Sequence, residues 1–395
     1  MTHTAPSRAP ETATRPVRAA TTAVAVTIAC VLPVFLVGGL AVQMREELGF
    51  NPAGLGIAVA VYFGVGALAS VPSGALVERW GGGVVARVGI LISAGSLLAV
   101  AVLARSYPML LVLLAVAGTA NALGQLSSNL LLARHVPTRR QGLSFGVKQA
   151  AIPVSTLLAG AAVPTLALTV GWRWAFVAAA GAALATLPLV PSHGPQPVQR
   201  SDRPAGSATV GLVVIGVAAT LAAGAANALG TFLVDASVDR GHGPALAGLM
   251  LTLGSAVCVA ARIGIGWLAD RRTGGHVTVI AGLLAVGALG LGLLAVAGSG
   301  ALVVGVLLGF GLGWSWPGLM NFAVVRLHPQ APAAATSITQ TGVYAGGCVG
   351  PLALGPLAAA AGYPAMWLTA AAAMLTAAVL MLTATRMLSA RPASS

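Results

Sequence analysis

The chain has 395 residues, 57% of them hydrophobic and only 7% charged, with 21 basic against 8 acidic residues and a net charge of +13 when histidine is neutral. A soluble domain carries roughly 25% charged residues, so these few charges exclude a water-covered protein of this size and point to lipid as the solvent. The basic excess raises nucleic-acid binding, a possibility that the placement of the charges decides.

Residues 1–19 are polar, with Arg8, Arg15 and Arg18, and read as a disordered cytoplasmic tail. Apolar runs then recur at 20–43, 53–76, 84–104, 109–133, 142–167, 172–191, 208–234, 245–268, 276–297, 300–326, 334–360 and 364–387. Most are long enough to cross ~30 Å of hydrocarbon at ~1.5 Å per residue. A closed barrel would instead need alternating strands of ~10 residues. The first run is too long for a signal-peptide core and has further spans behind it, so it reads as a retained helix. The expected fold is an all-α polytopic membrane protein of twelve transmembrane helices. An N-terminal six-helix bundle occupies 20–191, a cytoplasmic linker 192–207, a C-terminal six-helix bundle 208–387 and a cytoplasmic tail 388–395.

With the N-terminus in the cytoplasm, fifteen arginines fall on the inner side and only Arg45, Arg105, Arg173 and Arg240 on the outer side. That is the positive-inside pattern of a multi-pass protein of the cell membrane with both termini cytoplasmic. The acids divide evenly: Glu11, Glu78, Asp202 and Asp270 inside, Glu46, Glu47, Asp235 and Asp239 outside. The +13 therefore resolves into +11 on the inner face, zero outside and +2 within the membrane. No nucleic acid is needed as a partner. The expected partners are the lipid bilayer and a small-molecule substrate, and the chain is expected to be a monomer.

A shift of 192 residues aligns the chain with itself: Pro52 falls on Pro244, Gly56 on Gly248, Gly74 on Gly266, Glu78 on Asp270 and Arg79 on Arg271. Asn129–Pro137 falls on Asn321–Pro329, both reading N-x4-R-x2-P, and a shift of 191 places Gln149 on Gln340 and Gly171 on Gly362. Matched Asn, Arg and Pro residues at one near-constant shift indicate an internal duplication of six helices. Two such halves with like topology form the architecture of many secondary transporters, with substrate near the midplane between them.

The segment Gly74-Ala75-Leu76-Val77-Glu78-Arg79-Trp80-Gly81 resembles the loop 2–3 signature of the major facilitator superfamily, and Gly266-Trp267-Leu268-Ala269-Asp270-Arg271 resembles its second copy. Gly171–Phe176 is similar to a recurrent family segment before the sixth helix. The first copy departs from the pattern, with Glu78 in place of the usual aspartate and Gly82-Gly83 where basic residues usually follow. The resemblance implies the superfamily's fold and a latch of Glu78, Arg79, Asp270 and Arg271 on the cytoplasmic side of the outward-open state. Physically, a carboxylate near a helix end beside arginine can form a charged contact that breaks when the halves rock apart.

Two basic residues lie inside spans: Lys148, the only lysine, in the fifth, and Arg262 in the eighth. Each sits ~12 Å in from the inner boundary, counting eight residues from Arg140 and from Asp270 respectively. A charge at that depth costs at least ~2.5–3.5 kcal/mol on insertion scales. Snorkelling toward the interface is the alternative to a functional role. A buried ion pair lacks a partner, since no acid lies mid-helix and Asp235, at the outer end of the seventh span, is the nearest. The resemblance places the fifth and eighth helices side by side along the cavity, and an arginine before the second signature copy resembles the organic-anion, monocarboxylate and cyanate-type permease branches. Lys148 and Arg262 are therefore expected to bind an anionic substrate together, Arg262 offering a planar fork to a carboxylate.

Further polar and aromatic residues could complete the pocket. Asn121 and Gln125 share a face of the fourth span, Gln149 and Gln340 match in the repeat, and Trp314 and Trp316 flank Ser315 before Pro317. Tyr62 and Tyr344 are candidate hydroxyl donors, while Asn129 and Asn321 read as helix–helix contacts. Cys30, Cys258 and Cys348 are scattered and read as small apolar residues. No cofactor or metal is expected. The main alternative within the transporters is a multidrug or metabolite efflux pump working as a proton antiporter; its fifth-helix G-P run is missing, and no early helix carries a buried acid for cationic drugs. A receptor or scaffold is a remote alternative. An enzyme would need clustered acids or an H-E-x-x-H site, neither of which the sequence contains.

Overall fold

The computed structural model describes residues 11–135, 141–191, 210–328 and 332–389. The linker expected at 192–207 and the outer parts of both tails, 1–10 and 390–395, lie outside these residues. Among the described residues every regular element is a helix. In chain order they are α1 (Glu11–Gly39), α2 (Ala41–Leu48), α3 (Pro52–Trp80), α4 (Gly82–Leu103), α5 (Tyr107–His135), α6 (Gln141–Ala162), α7 (Trp172–Ala185), α8 (Val210–Asp239), α9 (Pro244–Ala269), α10 (His276–Leu293), α11 (Ser299–Leu308), α12 (Trp316–Leu327) and α13 (Pro332–Ser389). A π-helical turn, Val163–Ala167, extends α6, and a second, Gly309–Gly313, follows α11.

Among the described residues eleven segments are long and apolar enough to span a bilayer, and the last, Ala335–Met387, has 53 residues. It is kinked at Gly362, whose φ of 81° and ψ of 166° are not helical, and Pro364 follows. α13 is thus two spans, giving the expected twelve. Many large apolar residues along the spans are left exposed, such as Leu91, Val102, Val112, Leu158 and Leu289, as a surface solvated by acyl chains requires.

Three boundaries differ from the sequence expectation. α1 starts at Glu11, inside the stretch expected to be disordered. α8 runs to Asp239, one turn beyond the expected end at 234, and carries Asp235 into the protein. The tenth span is not continuous: Gly309, Gly311, Gly313 and Pro317 break it into α11 and α12, and Trp314 between them has φ −111° and ψ 8°.

The duplication is visible in the backbone. Positive φ recurs at Gly49 and Gly241 (68° and 87°) and at Gly171 and Gly362 (100° and 81°), pairs related by the repeat shift. α3 and α9 both begin with proline at the first helical positions, Pro52 and Pro244, where a missing N–H costs nothing.

Two glycine crossings are also equivalent. A Cβ on Gly248 of α9 would lie 2.7 Å from Gly160 O and 2.6 Å from Val163 Cβ on the sixth-helix segment. One on Gly56 of α3 would meet the Pro351 carbonyl and lie 3.2 Å from Gly355 Cα on α13. Both crossings thus bring backbone against backbone.

We call the end that carries the chain termini inner and the opposite end outer. At the outer end Gly38 of α1 abuts the Gly230 backbone of α8. There the Arg45 guanidinium pairs with Asp235 at 2.8 Å, and Tyr363 donates its hydroxyl proton to the same carboxylate. Glu47 accepts from Arg173 and from Trp172 Nε1 (3.0 Å). Two of the four arginines expected outside therefore pair with two of the four acids expected there. The Arg173 hydrogen bond holds the Glu47 carboxyl below the usual carboxylate range.

Candidate functional site

Close approach of α6 and α9 shapes the middle of the molecule. Gly142 and Gly146 face Gly266 and the Arg262 carbonyl so closely that side chains there would collide with backbone. That contact carries Arg262 across to α6, where Nη1 donates to the Gln149 carbonyl. Its Nε and Nη2 donate to the Trp314 carbonyl at 3.0 and 2.6 Å. The broken tenth span makes that carbonyl available, an example of irregular backbone tolerated where it borders a cavity.

Arg262 is 2% exposed and Lys148 4%. Among the described residues neither meets a carboxylate. Lys148 Nζ donates to Gln125 Oε1 at 2.5 Å. The two charges are therefore held by neutral acceptors. Satisfying a buried cation with dipoles alone leaves its charge uncompensated.

A cavity of about 640 Å³, counted out to its opening, lies beside Arg262. Of the residues selected from sequence, Arg262, Gln149, Asn121, Gln125, Trp314, Trp316, Gln340 and Tyr344 line it. They come from α5, α6, α9, α12, α13 and the break before α12. Two selected residues are not among those that line it. Lys148 donates to Gln125, which does, and Tyr62 is fully buried with its hydroxyl donating to the Cys30 carbonyl at 2.7 Å. Lys148 is thus tied to the cavity through Gln125, which accepts its hydrogen bond and lines the wall.

Phe35, Phe63 and Asn227 line the cavity and were not selected from sequence. Asn227 is an isolated amide in an alanine-rich span, the same signal that singled out Asn121. The two phenylalanines gave none, since aromatic residues in an apolar run read as lipid-facing. Phe35 and Trp314 meet edge-on with centroids 5.8 Å apart, and Phe310 meets Trp314 at an interplanar angle of 60° and 5.5 Å. The cavity wall is thus aromatic and rigid, with amides and one guanidinium set into it. Asn129 is exposed, and Asn321 Oδ1 is buried without a partner.

At the inner end Asp270 Oδ1 accepts from the Gly142 N–H at 2.8 Å and Oδ2 from the Leu143 N–H at 3.0 Å. The carboxylate thus caps the first turn of α6, where unpaired N–H groups and the helix dipole favour a negative charge. Arg271 stacks over the Trp267 ring at 3.4 Å from its centroid and does not join that contact. Arg79 is exposed at the end of α3, and the Glu78 side chain lies outside the described residues.

The sequence profile of the Major Facilitator Superfamily matches residues 23–351, and again 215–395. Among solved structures, the human organic anion transporter MFSD10 (TETRAN) is similar in fold, with a TM-score of 0.67 at 16% sequence identity, covering 93% of this chain and 99% of that one.

Proposed function

The chain belongs to the major facilitator superfamily, and we propose that it carries a small organic anion across the membrane by alternating access, with Arg262 meeting the anion's charge. It is a multi-pass membrane transporter by family. One observation supports the choice of an anion: a buried guanidinium borders the cavity, donates to the Trp314 and Gln149 carbonyls and, among the described residues, meets no carboxylate. An arriving carboxylate would replace an uncompensated charge with a charge-assisted pair in a medium of low dielectric. Lys148, held by Gln125, adds a second positive charge behind the wall and favours the same sign of ligand. The similar human protein is described as an organic anion transporter, which agrees with this choice.

The two ends supply the moving contacts. The outer end is held by Arg45, Asp235 and Tyr363, the inner end by Asp270 on the α6 N-terminus. Each contact joins the two repeats. Ligand bound between Arg262 of the second repeat and the amides of the first would draw the repeats together and shift their equilibrium.

The test is a thermal-shift screen of the purified protein against small carboxylates, inorganic anions and lipophilic cations, followed by uptake into proteoliposomes. Ligand binding raises apparent stability by mass action. Carboxylates should stabilise the wild type and fail to stabilise Arg262→Ala. Stabilisation by cations alone would replace the anion reading with drug efflux.

A further inference from the structure

The repeat relates two seams between the halves, α6 against α9 and α3 against α13, and their inner parts differ. Along α6–α9 the contact runs the whole length. Gly248 meets Gly160, the Thr156 and Ser255 hydroxyls pair at 2.7 Å, and Arg262 donates to the Gln149 carbonyl. Further in, a Cβ on Gly266 would lie 2.6 Å from Gly142 O, and Asp270 caps the end.

Along α3–α13 the contact stops halfway. Gly56 meets Pro351, and a Cβ on Gly347 would lie 3.1 Å from Phe63 Cγ. Those two residues are the counterparts of Thr156 and Ser255. Inward of them, among the described residues, the seam is open. Gly74, the counterpart of Gly266, has open space where a Cβ would go. Ser337 and Thr341 are exposed, whereas their counterparts Gly146 and Ala150 are buried. Val71 is 83% exposed against 38% for its counterpart Ile263. The sequence supplies a reason. Gly342, Gly346 and Gly350 bring α13 against the α8 backbone at Gly216, Thr220 and Gly224, the close approach that small residues permit. On α6 those positions are Ala151, Ser155 and Ala159. Held to α8, the inner half of α13 stands apart from α3.

We infer that the ligand passes between the cavity and the inner side through this gap between α3 and α13, while the α6–α9 seam stays shut. Both helices reach the cavity, α3 with Phe63 and α13 with Gln340 and Tyr344. The gap itself is bordered by Ser70, Gly74, Ser337 and Thr341, which are small and uncharged. An anion leaving Arg262 therefore meets no second cation there to detain it. Arg262 is fastened to the closed seam by the Gln149 carbonyl, so the charge that binds and the gap that admits lie on different seams. This inference rests on the transporter reading and not on the sign of the ligand's charge.

Labelling of a cavity cysteine tests the route without any ligand, so its outcome is separate from that of the carboxylate screen. The probe is Gln340→Cys in a Cys348→Ala background, where the remaining Cys30 and Cys258 are buried. An impermeant maleimide is delivered to the inner side of proteoliposomes holding the full chain. Tryptophan on both walls of the gap, Gly74→Trp with Ser337→Trp, should slow labelling roughly 10-fold or more, as obstruction of a gated entrance does. Gly264→Trp, on the inner half of α9 with open space at its Cβ position, should leave the rate unchanged. Ser337→Trp alone, at an exposed position, should slow labelling less, and it decides the matter if melting shows the double variant unfolded. Undiminished labelling in the folded variants, or equal slowing by Gly264→Trp, would overturn the inference and leave the anion reading intact.

Discussion

Arg262 of α9 donates twice to the backbone carbonyl of Trp314, at 3.0 and 2.6 Å, so the buried positive charge is fastened to the break in the tenth span. A lysine has no planar fork and cannot reach the Trp314 and Gln149 carbonyls together. Arg262→Lys should keep a charge yet lose at least 10-fold in anion affinity. Arg262→Ala should lose binding altogether and destabilise the protein by about 1.5–3 kcal/mol through the orphaned carbonyls. Thermal unfolding in detergent with and without ligand separates the two effects.

Asp270 caps α6 through two backbone N–H groups on the opposite repeat. Asp270→Ala should destabilise by ~1–2 kcal/mol, the range of a lost cap, and favour the form open at the inner end. Asp270→Asn, which keeps one acceptor, should fall between. Alkylation of a cysteine introduced at Gln340, in the cavity wall, reads the opening directly: faster labelling from the inner side is the expected result.

At the outer end Asp235 is 3% exposed at its side chain, and Arg45 35%. Removing Arg45 strands a buried carboxylate on Tyr363 alone. The loss should fall below the ~3–5 kcal/mol of a fully buried pair, because Arg45 is already partly hydrated. Asp235→Asn should be milder than Arg45→Ala, since an amide still accepts from Tyr363. Apparent melting midpoints of the two variants and of their double mutant measure the order and the coupling.

Glu47 supplies a pH dependence. Its folded pKa is lowered by the Arg173 hydrogen bond from an ordinary value of 4.5. The unfolded chain therefore binds the proton first as pH falls, and the stabilisation present above 4.5 is lost as pH drops through the lower folded value. Melting midpoints from about pH 6 to about pH 3 should show a steeper acid limb in wild type than in Glu47→Gln.

Glycine substitutions should divide by position. Gly56→Ala and Gly248→Ala place a Cβ against backbone at the two crossings and should destabilise by about 1–3 kcal/mol. Gly95→Ala and Gly181→Ala, with open space at the Cβ position, should leave the midpoint unchanged or slightly raised.

Sequence alone revealed much of the fold, because a bilayer imposes one length and one polarity on every span. It revealed the repeat because Pro52, Gly56 and Arg79 have counterparts at a constant spacing. Most of the selected cavity residues were legible for a related reason: polar groups such as Asn121 and Gln125 stand out in an apolar run. Lys148 shows the limit of that signal. Burial and depth follow from its place in the chain, but only the fold shows that its ammonium is taken by Gln125. The Arg45–Asp235 pair was illegible because it joins residues 190 apart, and the break at Gly309–Gly313 because three alternate glycines fit a helix or its interruption equally well in sequence.

The two glycine crossings have a consequence for ancestry. Gly56 against Pro351 and Gly355, and Gly248 against Gly160 and Val163, are one contact made twice about an internal twofold axis, the contact that a symmetric dimer of six-helix chains would make on each side of its axis. Such a dimer would carry the same residues at both places. Here the positions of Lys148 and Arg262 are occupied, at the other crossing, by Thr339 and Ser70, whose hydroxyls return to their own helices at Thr336 O and Gly66 O. The charge belongs to one crossing only. The second crossing, with hydroxyls in the equivalent positions, carries no charge there.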